Sequence, residues 1–199
     1  YNEQTNEYYL HLFAKNQPDL NWENEEVKKE IKDILCYWLD MGVDGFRCDV
    51  INILSKTASL PNGRKGFILV GKEHYINGPK IHEYLKELKR DVFDQYDCFT
   101  VGESVFITPN TALDYIEDEK ELNMLFQFDH MGVDNYVVKW FLHKFRLRKL
   151  KKALSKWQYE INGKGWNSLY FENHDQARSI NRFGSLRYHE KSAKMLSAY

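Results

Sequence analysis

VDGFRCD, at residues 43–49, is a short apolar run that ends in a carboxylate and directly follows a helical pattern. Two later stretches repeat this form: CFTVGE at residues 98–103 and SLYFENHD at residues 168–175. The apolar parts of these stretches, residues 43–48, 98–102 and 168–171, each predict a buried strand that carries an acidic side chain at its C-terminal end. Because the C-terminal ends of parallel strands meet at one face of a β/α-barrel, the repetition predicts that these carboxylates share an active site.

Helical patterns separate the predicted strands. Apolar spacing predicts helices at residues 25–41, 80–95, 111–117, 148–161 and 189–199, and a further strand at 124–128. Asn24 is the expected N-cap of the first helix, and Gly42 is expected to end it. Such alternation predicts a parallel α/β sheet. A closed eight-stranded barrel needs about 250 residues. We therefore expect a partial TIM (β/α)8 barrel of roughly the central four β/α units.

Composition narrows the class of protein. The 199 residues carry a formal net charge of -1, which favours neither a nucleic-acid nor a membrane partner. Aromatic residues make up 15%, which suits sugar stacking and a large core about equally. Cys36, Cys48 and Cys98 lack the spacing of a disulfide framework or a zinc site, and a reducing cytoplasm is expected. No membrane span or signal peptide is apparent, although a chain that starts at Tyr1 leaves a lost leader open. The basic run at residues 144–152 is expected to be a solvated helix face.

Two of the predicted carboxylates suit the cleavage of a glycosidic bond. Cleavage with retention needs an ionised nucleophile and a separate protonated donor, about 5 Å apart. Arg47 lies two residues before Asp49 on the same face of a strand, so it is placed to keep Asp49 charged. Glu103 follows Gly102, which permits close packing, and its apolar surroundings favour a neutral acid.

Four motifs, in order along the chain, resemble those of the α-amylase superfamily, glycoside hydrolase family 13. They are QPDLN at residues 17–21, GFRCD at 45–49, VGE at 101–103 and ENHD at 172–175. QPDLN is similar to the fifth motif of the oligo-1,6-glucosidase subfamily, where it lies at the end of an inserted domain. The resemblance therefore implies two regions, with residues 1–23 as the end of an inserted loop domain and residues 24–199 as part of the catalytic barrel.

The resemblance also implies a role for each matching residue. Asp49 would attack the anomeric carbon, and Glu103 would protonate the leaving oxygen and then activate water. Asp175 would bind sugar hydroxyls and favour the distorted transition state. The implied substrate-binding residues are Arg47, His174, Val50 and Arg178. No cofactor is implied, and no metal is expected within this span.

Val50 directly follows Asp49, the residue that would be the nucleophile. A valine at this position resembles the enzymes of the subfamily that prefer α-1,6 bonds. The expected activity is that of a retaining α-glucosidase acting on short isomalto-oligosaccharides. The full-length form is expected to be a monomer. Trehalose-6-phosphate hydrolase, dextran glucosidase, α-1,4-glucosidase, a transglycosylase or isomerase, and a non-catalytic transporter-type relative stay open. Structural alternatives also stay open: Asp49 as a helix cap, Glu103 as part of a salt bridge and Val50 as a packing residue.

The chain also departs from the family. The family's first motif, a strand that ends in Asp with a nearby Asn-His, does not occur in these residues. That motif normally closes the pocket around the non-reducing sugar. We therefore expect the isolated 199-residue chain to be a fragment with little or no activity.

Overall fold

A four-stranded parallel sheet forms the centre of the molecule. The computed structural model describes residues 1–59, 61–65, 69–136, 141 and 143–198. The strands are β1 Gly45–Cys48, β2 Phe99–Glu103, β3 Met124–Phe126 and β4 Trp166–Asn167. They pair in chain order, each parallel to the next. Sequential parallel strands with intervening helices are the arrangement of a β/α-barrel, so the predicted partial barrel is confirmed.

The register of the sheet decides which side chains meet. Cys48 on β1 pairs with Gly102 on β2, and Glu103 pairs with Phe126 on β3. Asp49 follows Cys48 directly, so it leaves β1 beside the strand end that carries Glu103. The two carboxylates therefore lie at the same, C-terminal edge of the sheet.

Helices connect successive strands, close to the positions that apolar spacing predicts. They are α1 Glu25–Asp40, α2 Ile81–Asp91, α3 Pro109–Ile116, α4 Leu147–Ile161, α5 Ser179–Phe183 and α6 His189–Ser197. The helix predicted at residues 80–95 ends as α2 at Asp91 and is followed by a 3₁₀ turn at Phe93–Gln95. The short helix α5 was not predicted. Residue 199 lies outside the described residues. Within the described part of the chain, none of the helices is long and apolar enough to cross a bilayer.

Local chemistry accounts for both ends of α1. Asn24 Oδ1 accepts a hydrogen bond of 2.8 Å from Glu26 N, as the N-cap prediction requires. Gly42 has a φ of +90°, a left-handed conformation that glycine adopts without steric cost and that ends the helix. The chain then enters β1 after two residues, so α1 sets where Arg47 and Asp49 emerge.

The predicted strand at residues 168–171 is wrong. Strand β4 is Trp166–Asn167, and the apolar residues after it are irregular. The carbonyl oxygen of Tyr170 accepts from His130 Nε2 at 2.6 Å, in place of a strand partner. The Tyr170 ring packs edge-on against Phe126 and His130, at centroid distances of 5.1 and 4.9 Å. An apolar run predicts burial, but here Leu169 is 40% exposed and Tyr170 is only half-buried by these aromatic contacts.

The main core lies between the sheet and helices α1 to α4. Its most buried side chains include Leu85, Val92, Ile116 and Trp157, each at most 1% exposed. Trp22, from the N-terminal region, joins this core and packs against Tyr84 at a centroid distance of 5.6 Å. This packing holds the segment around Trp22 against α2.

Candidate active site

Arg47 joins the two candidate catalytic carboxylates. Its Nη1 donates a 2.7 Å hydrogen bond to Asp49 Oδ1, and its Nη2 contacts Glu103 Oε2. The guanidinium also lies 5.5 Å from the centroid of the Phe126 ring, within range of a cation–π interaction. The predicted contact between Arg47 and Asp49 is present, and one guanidinium group contacts both acids.

The two carboxyl groups lie in different environments. The Asp49 side chain is 67% exposed, whereas that of Glu103 is 6% exposed. Burial raises the pKa of Glu103, and its hydrogen-bonding interaction with Asp49 raises it further, against the opposing charge of Arg47. Partial burial also acts to raise the pKa of Asp49, but the hydrogen-bonding interactions with Arg47 and Glu103 hold it below its usual range. One acid therefore favours the protonated form and the other the ionised form.

Strand β2 packs closely against its neighbours at Gly102, the residue before Glu103. A Cβ atom at Gly102 would lie 2.7 Å from Leu122 Cδ1 and 2.9 Å from Ile51 Cγ2. Only glycine leaves room for these side chains beside the strand. The predicted close approach at Gly102 is therefore present.

The third candidate carboxylate, Asp175, lies on the exposed loop after β4. His174 Nε2 lies 3.3 Å from Asp175 Oδ2, and their side chains are 69% and 53% exposed. The charge of His174 lowers the pKa of Asp49, and the charge of Asp175 contributes to the raised pKa of Arg47. The structure thus places His174 and Asp175 close enough to the pair that Arg47 holds for their charges to act on it.

A cavity of about 500 Å³ opens beside these groups and includes Val50, Glu103 and Asp175 in its lining. Aromatic rings form much of the remaining wall, namely Phe13, Tyr75, Phe106 and Phe128. None of these four rings is among the site residues that the sequence predicts. Their positions after strand ends or in loops are the available signal for Phe106 and Phe128, whereas no local pattern marks Phe13 and Tyr75. A cavity lined by two carboxyl groups and four aromatic rings offers the hydrogen-bonding and stacking groups that suit a sugar ring.

Val50 has an unusual backbone conformation at this cavity. Its φ of 38° and ψ of 47° are left-handed, and a β-branched side chain is strongly disfavoured there. Strain of this kind persists only where the surroundings enforce it, and it occurs often at functional sites. The conformation directs the chain from Asp49 into the 3₁₀ turn at Ile51–Ile53.

Arg178 does not join the cavity lining among the described residues. Its Nη1 donates to Glu172 Oε1 at 2.7 Å, and its side chain is 82% exposed. The backbone N–H of Ser179 donates to Glu172 Oε2 at 2.6 Å. This backbone hydrogen bond and the Arg178 pair lower the pKa of Glu172 to about 2. Arg178 is thus part of a turn that its ion pair with Glu172 helps to hold, next to the candidate site.

A buried ion pair anchors the loop that carries Asp175. Arg182 on α5 pairs with Asp134, and the two side chains are 6% and 3% exposed. Arg182 Nε donates to Asp134 Oδ2 at 2.9 Å, and Arg182 Nη1 donates to Gln176 Oε1 at 3.0 Å. Because Gln176 directly follows Asp175, this arginine links the loop to the segment after β3. Asp19, from the QPDLN motif, pairs with Lys56, which fits a loop-stabilising interpretation.

Comparison with known proteins agrees with this fold. The family model for the alpha-amylase catalytic domain matches residues 1–199. An oligo-1,6-glucosidase from Parageobacillus thermoglucosidasius is 49% identical over 205 residues, covering 100% of this chain and 36% of that protein. A trehalose-6-phosphate hydrolase from Bacillus subtilis is 46% identical over 199 residues, covering 98% of this chain and 35% of that protein.

A solved structure gives the same result in three dimensions. The crystal structure of the Bacillus licheniformis trehalose-6-phosphate hydrolase superposes with a TM-score of 0.88 at 45% identity, covering 96% of this chain and 34% of that one. The chain belongs to the alpha-amylase family and represents part of its catalytic domain. It spans about a third of the length of the relatives that it matches.

Proposed function

We propose that the chain supplies the catalytic carboxylates of a retaining α-glucosidase that cleaves α-1,6 bonds at the non-reducing end of short isomalto-oligosaccharides. The observation that carries this proposal is the Arg47-bridged pair of Asp49 and Glu103, whose pKa values move in opposite directions. Two carboxyl groups held by one guanidinium are close together, as retention requires. Inverting enzymes need a wider gap for water, about 6.5–9.5 Å.

Each acid has a distinct part in the proposed mechanism. Glu103, kept protonated by burial, gives its proton to the glycosidic oxygen as that bond breaks. Asp49, kept ionised by Arg47, attacks the anomeric carbon and forms a covalent glycosyl-enzyme. Glu103, now ionised, takes a proton from water, which then displaces the sugar from Asp49. The two inversions at the anomeric carbon give net retention.

Asp175 and His174 are proposed to bind hydroxyl groups of the sugar that reacts. Both lie on the exposed loop after β4, where the charge of His174 acts on Asp49 and that of Asp175 acts on Arg47. Hydrogen bonds from a sugar hydroxyl to an ionised carboxylate strengthen as positive charge develops on the ring. Arg178 is proposed to contribute at the substrate mouth, next to this loop.

The proposed α-1,6 preference rests on Val50 and on the oligo-1,6-glucosidase relatives. Trehalose-6-phosphate hydrolysis is the second candidate, because such enzymes are nearly as similar in sequence and superpose closely. Both activities would use the same carboxylates. The substrate alone distinguishes them.

Further properties are proposed for the protein as a whole. We propose a cytoplasmic location, to which three free cysteines add support. A small oligosaccharide is the proposed partner, with no nucleic acid, no organic cofactor and no metal in this span, and the full-length form is proposed to be a monomer. Residues 1–23 are proposed to end an inserted domain, and residues 24–199 to belong to the barrel.

The test compares three sugars in two contexts. One is the purified 199-residue chain, which we expect to have little or no activity. The other is a chimera in which residues 1–199 replace the matching span of the P. thermoglucosidasius oligo-1,6-glucosidase. The chimera should release glucose from isomaltose in preference to maltose or trehalose 6-phosphate, and Asp49→Asn should abolish the release. Cleavage of trehalose 6-phosphate alone would support the second candidate. A product of inverted anomeric configuration, detected by NMR, would contradict the proposed mechanism.

A further inference from the structure

Asn52 connects the two segments that carry the paired carboxylates. It lies three residues after Asp49, and its side chain reaches Val105, two residues after Glu103. Asn52 Nδ2 donates to the Val105 carbonyl oxygen at 2.9 Å, and Val105 N donates to Asn52 Oδ1 at 3.1 Å. One amide group thus satisfies both backbone groups of a single residue on the neighbouring segment. Asn52 is fully buried.

A second set of hydrogen bonds fixes the orientation of this amide. Asn52 Nδ2 also donates to Asn77 Oδ1 at 3.0 Å. The backbone N–H of Asn77 donates to the backbone carbonyl oxygen of Asn52 at 2.8 Å. Tyr115 OH donates to the same Asn77 Oδ1 at 2.7 Å. Because Asn77 Oδ1 can only accept, the Asn52 nitrogen must face it, and the Asn52 oxygen is left for Val105 N.

The backbone between Asp49 and Asn52 explains why such a connection is needed. Val50 is held in a left-handed conformation that its β-branched side chain disfavours. Without an anchor beyond Val50, the turn would relax and move Asp49. Asn52 supplies that anchor and ties it to the segment after Glu103.

We propose that Asn52 is a positioning residue, which sets the separation of Asp49 and Glu103 by clamping the segment after β1 to the segment after β2. The clamp does not touch substrate. The catalytic meaning of this inference rests on the proposed function, whereas the clamp itself is a property of the structure.

The clamp has a consequence that a merely structural contact would not have. Glu103 is faced by Arg47 from β1, by Asp49 from the end of β1 and by Tyr170 from the segment after β4. Burial and Asp49 raise the pKa of Glu103, whereas Arg47 and, more weakly, the backbone N–H of Val50 lower it. If Asn52→Ala lets Asp49 and Val50 move away from Glu103, the pKa of Glu103 should fall, because Asp49 affects it more strongly than the Val50 hydrogen bond does.

The first experiment uses the 199-residue chain and needs no substrate. The Glu103 carboxyl carbon is titrated by ¹³C NMR, with Glu103→Gln assigning the signal. Asn52→Ala should lower the titration midpoint of Glu103. Asn123→Ala is the matched control: Asn123 Oδ1 accepts from Thr100 N at 2.8 Å, so it also bonds to the β2 backbone but at the end away from Glu103. This control should leave the midpoint unchanged.

A milder variant covers the case in which Asn52→Ala does not fold, as judged by circular dichroism. Asn77 has a φ of +49°, which glycine accepts readily, so Asn77→Gly keeps the backbone while removing the acceptor that orients Asn52. It should shift the Glu103 midpoint in the same direction by a smaller amount. A folded variant, Asn52→Ala or otherwise Asn77→Gly, that titrates as the unchanged chain does would overturn the clamp.

The second experiment measures turnover in the chimera. Asn52→Ala should lower kcat on isomaltose on the order of 10- to 100-fold, the scale of a misplaced catalytic group, with little change in KM. Asn123→Ala should not lower kcat while leaving KM unchanged. A chimera that cleaves none of the sugars, together with a shifted Glu103 midpoint, would support the clamp and count against the proposed function.

Discussion

Arg47 donates a 2.7 Å hydrogen bond to Asp49, the residue two positions further along the chain, while its other terminal nitrogen reaches the neighbouring strand end at Glu103. The sequence places the first contact, because residues i and i+2 of a strand share a face. The second contact needs the sheet register, in which Cys48 pairs with Gly102. Arg47 therefore lowers the pKa of both acids.

Arg47→Gln is expected to move the whole pH profile of kcat/KM upward. Arg47 lowers the pKa of Asp49, so its loss raises the pH at which Asp49, the proposed nucleophile, becomes ionised. Arg47 also opposes the raised pKa of Glu103, so its loss raises the pH at which the acid deprotonates. The maximum should fall by about 10-fold, the low end for a hydrogen bond between charged groups because Asp49 is solvent-exposed.

The measurement is kcat/KM on isomaltose against pH in the chimera, which reports the free enzyme. Arg90→Gln, on the exposed end of α2, is the control and should leave both limbs in place. An Arg47→Gln profile whose limbs stay fixed, or separate in opposite directions, would contradict the dual role.

Glu103→Gln should affect substrates according to their leaving groups. Isomaltose needs protonation of its leaving oxygen, so turnover should fall on the order of 10²- to 10⁴-fold. p-Nitrophenyl α-glucoside has a leaving group that needs little help from an acid, so its first step should be almost unchanged. The second step still lacks its base, so a burst of nitrophenol should precede slow turnover.

Stopped-flow absorbance and intact mass spectrometry of the quenched chimera follow the burst and the glycosyl-enzyme. Glu160→Gln, on the exposed face of α4, is the matched control and should behave as the unchanged protein does. Equal losses on both substrates would remove Glu103 from the role of acid.

Much of this architecture follows from local sequence. Helix α1, its Asn24 cap and the end of β1 are set by neighbours in the chain, and they appear where the sequence predicts them. The opposite burial of Asp49 and Glu103 depends on packing across strands. The only local sign of close packing in the sequence is the glycine at 102. The irregular backbone before Glu172 depends on His130, 40 residues from Tyr170. Such long-range contacts leave no periodic pattern, so the strand at residues 168–171 was predicted in error. The roles of the site residues stay predictions.

Replacing Val50 separates backbone strain from specificity. Val50→Asn should raise the free energy of unfolding of the chain by about 1 kcal/mol, because asparagine tolerates the left-handed conformation in which valine is strained. Val50→Thr keeps the β-branch, so stability should change little. Urea denaturation of the 199-residue chain measures both.

One of these substitutions, Val50→Thr, also tests the proposed preference for α-1,6 bonds. In the chimera, Val50→Thr should shift the ratio of isomaltose to maltose turnover towards maltose, although its stability is unchanged. A changed ratio in Val50→Thr attributes specificity to the side chain at this cavity. An unchanged ratio would make Val50 a packing residue only.

The buried pair of Arg182 and Asp134 should matter more for stability than any surface pair. Arg182→Met leaves the Asp134 carboxylate buried without its cation, so the free energy of unfolding should fall by about 3–5 kcal/mol. The double variant Arg182→Met, Asp134→Leu removes both charges and should recover most of that loss. Lys194→Ala, which breaks the exposed pair with Glu190, should cost only about 0.3–0.5 kcal/mol.

Urea denaturation of the 199-residue chain orders these variants. A loss of less than about 1 kcal/mol in Arg182→Met would show that the pair is solvated in solution, because an exposed pair has that value. The double variant also tests whether Arg182 positions the loop that carries Asp175. Gln176 loses its bond from Arg182 in both variants. If the double variant is stable yet the chimera that carries it has a raised KM for isomaltose, Arg182 positions the loop of Asp175 independently of its contribution to folding.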